Sequence, residues 1–246
     1  MTLTAGIDMA AQAPRTGAVI IDWTADPPMI THAATHATDQ QLVDLCRQVA
    51  DRKGLVGIDC PLGWPRAFVA FVSAHAAKQP LPAAELTTET LRLRATDVEV
   101  WHGPFGRVPL SVSTNLLGIT ALRTARLLAQ LRDDGHQVDR SGVEGLVCEV
   151  YPVASRAAWG LSLAHRDAQE ILDQLHLNAE PAHAALLSAN EHVFDALIAA
   201  LSARAVACHA TDGPPAALEE LAREEGWIHV PRVGHQLAQL ASRTPS

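Results

Sequence analysis

Residues 54 to 65 read Gly54-Leu55-Val56-Gly57-Ile58-Asp59-Cys60-Pro61-Leu62-Gly63-Trp64-Pro65, and this stretch decides the fold. Leu55 to Ile58 is a short, continuous apolar run bounded by Gly54 and Pro61, the pattern of a strand covered on both faces. Asp59 follows at the carboxyl end of that strand, where a proline stops the ladder. In open α/β sheets ligands bind along that edge, so an acid placed there is a candidate functional group. Working outward, Gly6-Ile7-Asp8 closes the first apolar run in the same way, and Gly145-Leu146-Val147-Cys148-Glu149-Val150-Tyr151-Pro152 carries an acid near the end of another. If the strands bearing Asp8 and Asp59 are parallel neighbours, their carboxylates meet, and such a pair repels unless a proton or a cation joins it.

Leu3 to Ile7, Thr16 to Trp23 and Met29 to Ala34 predict three strands whose connections are too short for a parallel crossover, hence an antiparallel meander. Thr38 or Asp39 caps a helix with Leu42, Leu45, Cys46 and Val49 on one face and Gly54 as its stop. Arrival through that helix makes the Leu55 strand parallel to an earlier one, most simply the first. Further helices are predicted from Arg66 to His75, after Thr87 and Thr88, from Leu117 to Leu131, around Ala168 to Leu175, and from a cap at Asn190 to about Ala207. Lys78 to Pro82 ends the first of these, and Leu91 to Asp97 ends the second with Arg92, Arg94 and an acid. Trp101 to Asn115 is a long turn-rich connection of the kind that lines clefts. Trp227 to Val230 is a short strand, and an amphipathic end begins at Val233. The expectation is a single α/β domain over residues 1–246, with a mixed sheet flanked by helices, a helical insertion at about 65–135 and a short tail from about 232.

With 246 residues, 48% hydrophobic and 19% charged, the chain is long enough for one well-buried core. A net charge of -8, from 27 acids against 19 Lys and Arg, excludes a broadly basic nucleic-acid surface and leaves room for a local basic rim. Cys46, Cys60, Cys148 and Cys208 lie far apart with no Cys-x-x-Cys spacing, which predicts neither a zinc knuckle nor a redox pair. There is no basic leader and no stretch of about 18 uncharged apolar residues, so no membrane is expected and the reading is cytoplasmic.

Asp195 is the only charge in Val193-Phe194-Asp195-Ala196-Leu197-Ile198-Ala199-Ala200-Leu201, a helix apolar nearly all round and therefore buried. An unpaired buried carboxylate costs several kcal/mol, so Asp195 needs a cation, a proton or an arginine beside it. Asp8, Asp59 and Glu149 offer the setting for a shared hard divalent ion. Blander readings stand beside this one. Strand-end acids cap following turns, Glu149 pairs in the interior with Arg94 or Arg156, and Arg92, Arg94 and Asp97 are ordinary helix-end residues. His32 and His36 lack the glutamate of a zincin and lie on a strand. Gly160-Leu161-Ser162-Leu163-Ala164 has alanine where a nucleophile elbow needs glycine.

The ordered set Gly6-Ile7-Asp8, Gly57 to Gly63, Arg94-Ala95-Thr96-Asp97, Glu149-Val150-Tyr151-Pro152 and Asp195-Ala196 resembles the domain-of-unknown-function 429 family over about residues 3 to 230. The expected strand plan resembles the ribonuclease H-like fold. That resemblance implies a predicted nuclease acting on a nucleic acid or nucleotide. Asp8, Asp59 and Asp195 are then the metal-binding acids for Mg²⁺ or Mn²⁺, Glu149 is a fourth ligand or general base, and Arg94 and Asp97 are substrate contacts flanking the site. Water is the nucleophile in such a phosphodiesterase. There is one departure: ribonuclease H proper carries a glutamate on its first helix, and here Leu42 to Arg52 offers only Asp44 and Asp51. The alternatives are a non-catalytic binding or scaffold module that keeps the fold, and an actin-like kinase. The latter needs a glycine and threonine phosphate loop after Asp8, which Met9-Ala10-Ala11-Gln12 does not provide.

Overall fold

Strand β1 (Leu3–Asp8) opens a meander with β2 (Gly17–Asp22) and β3 (Met29–Ala34), which leads into α1 (Asp39–Asp51) and β4 (Leu55–Asp59) in the computed structural model, which describes residues 3–81, 86–114 and 117–242. Then come α2 (Arg66–Ala76), α3 (Thr88–Arg92), α4 (Ala95–His102) and α5 (Leu117–Asp133), ahead of β5 (Val147–Val150). The chain continues through α6 (Pro152–Ala158), α7 (Ala168–Leu175), β6 (Asn178–Ala179), α8 (Pro181–Ala189) and α9 (Glu191–Ala207). It closes with α10 (Glu219–Glu225), β7 (Ile228–His229) and α11 (Gln239–Ser242). Pro82 and Asn115, which end two of the segments read from sequence, lie outside the described residues.

The strands form one mixed seven-stranded sheet in the order β6-β3-β2-β1-β4-β5-β7. β1, β2 and β3 pair antiparallel, while β4 runs parallel to β1 and β5 parallel to β4. The meander is as read, and so is the parallel return through α1, whose start is fixed by a capping box between Thr38 and Gln41. Leu91 to Asp97 behaves differently from the reading as one helix end. The Asp97 carboxylate accepts the Arg94 N–H at 2.9 Å, so the chain breaks at Leu93 and Arg94 and starts α4, which absorbs Trp101 and His102. Pro152 at the first turn of α6 and Pro181 at that of α8 start two helices that no apolar periodicity announced.

Alternation along β1 sorts its side chains between two layers. Ile7, Ile58 and Val147 pack with Leu42, Cys46 and Val49 of α1 and Leu127, Leu128 and Leu131 of α5. The opposite face carries Gly6 and Gly57, and against it lies α9, buried from Val193 to Ala205 apart from Asp195. These glycines are spacers. A Cβ on Gly6 would sit 1.9 Å from the Ala196 carbonyl oxygen, and one on Gly57 would sit 2.4 Å from that of Ala199. At Gly17 the same atom would meet the His192 oxygen at 2.2 Å. The helix backbone therefore rests directly on the sheet. The four cysteines are buried and form no disulfide, and burial pushes the Cys46 thiol up to about 12. No single helix among the described residues is long and apolar enough to cross a membrane.

Candidate active site

Asp8 and Asp59 are the last residues of β1 and β4, and the register pairs them directly. Each lies two residues beyond a glycine that faces α9, so alternation sends both carboxylates to the α9 side. Helix α9 begins where the Asn190 side chain accepts the N–H groups of His192 and Val193 at 3.0 and 3.1 Å. Docking on Gly17 and Gly6 then brings its first two turns over the strand ends. His192 Nδ1 lies 2.7 Å from Asp8 Oδ2. Asp195, one turn later, holds Arg166 at 3.6 Å through Oδ2, while its Oδ1 is buried without a hydrogen-bond partner. The Asp59 carboxylate makes no hydrogen bond or ion pair with the described residues.

These acids strain against one another. Burial raises the Asp8 carboxyl from its ordinary 3.8 to about 6, against the pull of its His192 hydrogen bond and with the push of Asp195. Burial likewise holds Asp59 well above the carboxylate range, and Asp8, Asp195 and Glu149 push the same way. Burial raises Asp195 too, opposed by Arg166 and Arg156. Three carboxyl groups thus share a poorly solvated edge with one imidazole and two guanidinium groups around them.

Glu149 is not among them. The register pairs it with Ile58, so its side chain leaves the sheet on the face away from α9. There Arg94 Nη1 and Nη2 each donate to it at 2.7 Å, and the Leu62 N–H donates at 3.0 Å. Arg94 also donates to Asp97 through Nε at 3.2 Å and Nη2 at 2.9 Å, and to the Glu225 carbonyl at 3.2 Å. Those bonds use all five guanidinium hydrogens and leave none for a substrate. Arg94 and Asp97, read as substrate contacts, are 1% and 0% exposed, and Glu149 2%. Gly226 closes the network at φ +93, where a Cβ would lie 2.7 Å from Glu149 Oε2. The cluster ties the turn after Asp59 to β5, α4 and the end of α10.

Asp44 and Asp51 are exposed, and Asp44 pairs with Arg47, so α1 brings no acid to the edge. Sequence reading passed over His192, although a histidine three residues before Asp195 shares its helix face. It also passed over Tyr151, one residue beyond β5, whose hydroxyl burial and Asp59 push upward while Arg107 opposes them. No group of three or more His, Cys, Asp or Glu among the described residues converges in a metal-holding arrangement. The donors nevertheless suit a hard ion. Asp59 and the orphaned oxygen of Asp195 are carboxylate groups without partners, and Mg²⁺ asks for only one or two protein carboxylates, filling its other positions with water and phosphate.

Fold and edge together define a mixed α/β protein whose parallel strands β1 and β4 end in a pair of acids beside one buried helix. The chain belongs to the family described as protein of unknown function (DUF429), whose model it matches over residues 6–220. No curated protein and no solved structure matches it.

Proposed function

We propose that this protein is a metal-dependent phosphodiesterase of ribonuclease H-like fold, a nuclease in the broad sense, with its centre at Asp8, Asp59 and Asp195. The observation that carries the reading is the direct pairing of Asp8 with Asp59 at the ends of parallel strands, with no partner on the Asp59 carboxylate among the described residues. The strand plan supports it. The order β3-β2-β1-β4-β5, antiparallel through the meander and parallel beyond it, with acids on β1, β4 and the last long helix, is the arrangement that resemblance to ribonuclease H leads one to expect.

Asp59 and Asp8 would hold Mg²⁺ or Mn²⁺, with the free oxygen of Asp195 reaching in from α9. The ion would supply a nucleophile from water at neutral pH and neutralise charge on the phosphoryl oxygens. His192 keeps Asp8 oriented through its Nδ1, which leaves its other ring nitrogen for proton transfer at the edge. Arg166 and Arg156 offset the charge of Asp195 from behind. Glu149 and Arg94 act at a distance by fixing the Leu62 turn that follows Asp59.

A non-catalytic binding module is favoured by a different observation, that His192 already occupies Asp8. One experiment separates the two. Single-stranded and duplex DNA and RNA, junctions and nucleotides are incubated with Mg²⁺ or Mn²⁺ and wild type or Asp59→Asn, beside calorimetry of each metal. Cleavage lost in the variant supports the phosphodiesterase. Metal binding or ligand binding without cleavage of any substrate favours the module, and an identical metal isotherm for both proteins removes the centre altogether.

A further inference from the structure

Arg94 has no donor to spare, which raises the question of what meets a phosphate at this edge. Among the guanidinium groups, Arg47, Arg66, Arg94, Arg123, Arg223 and Arg232 are each paired with carboxylates. Arg107 is not. It is exposed and makes no hydrogen bond or ion pair with the described residues. Its guanidinium carbon instead lies 5.9 Å from the centre of the Phe105 ring. Phe105 in turn meets Tyr151 edge to face at 5.7 Å. The register of β4 with β5 runs Ile58 to Glu149, so the next rung sets Asp59 beside Val150 and Tyr151 directly after it. Asp59 and Arg107 both lie near enough to Tyr151 to act on its hydroxyl, so an aromatic pair and an unpaired cation form a wall beside Asp59.

We propose that this wall binds one nucleotide unit of the substrate, Arg107 holding a phosphate that is not cleaved and the Phe105–Tyr151 pair taking its base. The inference rests on the phosphodiesterase reading and narrows its substrate to mononucleotides or single strands. A guanidinium presents a planar fork suited to phosphate oxygens, and one lying on an aromatic ring loses little freedom on binding. Aromatic faces accept any base, which suits single-stranded ligands whose bases are not already stacked. A duplex needs a track of several phosphate contacts. A chain of net charge -8, in which eight arginines among the described residues pair with its own acids, does not offer one.

The test uses a short labelled oligothymidylate, thymidine monophosphate and a duplex of the same length, with binding followed by anisotropy or calorimetry in Ca²⁺ and in EDTA. Wild type should bind the first two in preference to the duplex. Arg107→Ala should weaken both on the order of tenfold, with Arg107→Lys between it and wild type, while calorimetric Mn²⁺ affinity stays as in wild type. Phe105→Leu should weaken binding of the oligothymidylate and leave inorganic phosphate unaffected. Affinity within twofold of wild type in Arg107→Ala, a preference for duplex, loss of Mn²⁺ affinity along with the arginine, or no binding of either single-stranded ligand overturns the proposal. Arg107-dependent binding by a protein that takes no Mn²⁺ and cuts nothing would instead leave the wall standing and remove the phosphodiesterase.

Discussion

Replacing Asp59 by asparagine should make the metal-free protein more stable while removing its response to divalent ions. Asp59 is paired with Asp8 across parallel strands, which stand about 4.8 Å apart. At an effective dielectric near 20, two unit charges at that separation repel by roughly 3 kcal/mol. Burial and the neighbouring carboxylates favour the neutral form of Asp59, which relieves part of this repulsion. The gain should therefore be smaller, about 1–2 kcal/mol. Asparagine has the same shape and breaks no hydrogen bond, because the Asp59 carboxylate makes none with the described residues. For a chain of 246 residues that gain is roughly 2–8 °C in melting temperature. The assay is thermal and urea unfolding of both proteins in EDTA and in a Mn²⁺ series. Wild type should gain about 2.7 kcal/mol when Mn²⁺ reaches a hundred times its dissociation constant, and the variant should gain none. A variant that is less stable than wild type in EDTA, with the same Mn²⁺ response, would refute the reasoning about this edge.

The Asp8 carboxyl predicts a pH dependence of definite sign. Its folded value of about 6 exceeds the ordinary 3.8, so the native state binds the extra proton and this group's stabilisation falls as pH rises through that window. The loss is roughly 3 kcal/mol, and the stability of wild type minus that of Asp8→Asn in EDTA should decline by an amount of that order between about pH 4 and 6.5. A flat difference would count against it. Gly6→Ala must push α9 away from β1, because its Cβ would lie 1.9 Å from a helix carbonyl oxygen. It should cost about 3 kcal/mol in urea unfolding, and a change below 1 kcal/mol would mean the helix is not seated as described. Arg94→Met leaves Glu149 and Asp97 buried without their cation and should cost roughly 3–5 kcal/mol. Arg94→Met/Glu149→Met, made in an Asp97→Asn background, should recover most of that cost, and no recovery would argue that the pairs do not act as a unit.

Much of the frame was legible in local pattern. Short connections dictated an antiparallel meander, and a helix between two apolar runs dictated a parallel return. Two runs ending in Ile-Asp then placed Asp8 and Asp59 side by side. Asp195 was conspicuous because a charge on an otherwise apolar helix demands an explanation from its surroundings. Glu149 shows where local pattern stops. Its strand ends in an acid like the others, yet the register of β4 with β5 turns it to the opposite face of the sheet. Which face a strand residue takes depends on pairing with a neighbour far away in the chain, and a shift of one residue reverses it.

The amino-acid order by itself determined the alternation of apolar runs and helices, the stops at proline and glycine, and the acids at the strand ends, since each follows from short-range sterics and the burial of apolar side chains. Only the tertiary structure decided that Arg94 and Leu62 close on Glu149, or that three glycines let α9 settle close enough for His192 to reach Asp8. Those contacts join residues separated by tens to nearly two hundred positions. No local rule specifies them, because their geometry is set by how whole layers pack.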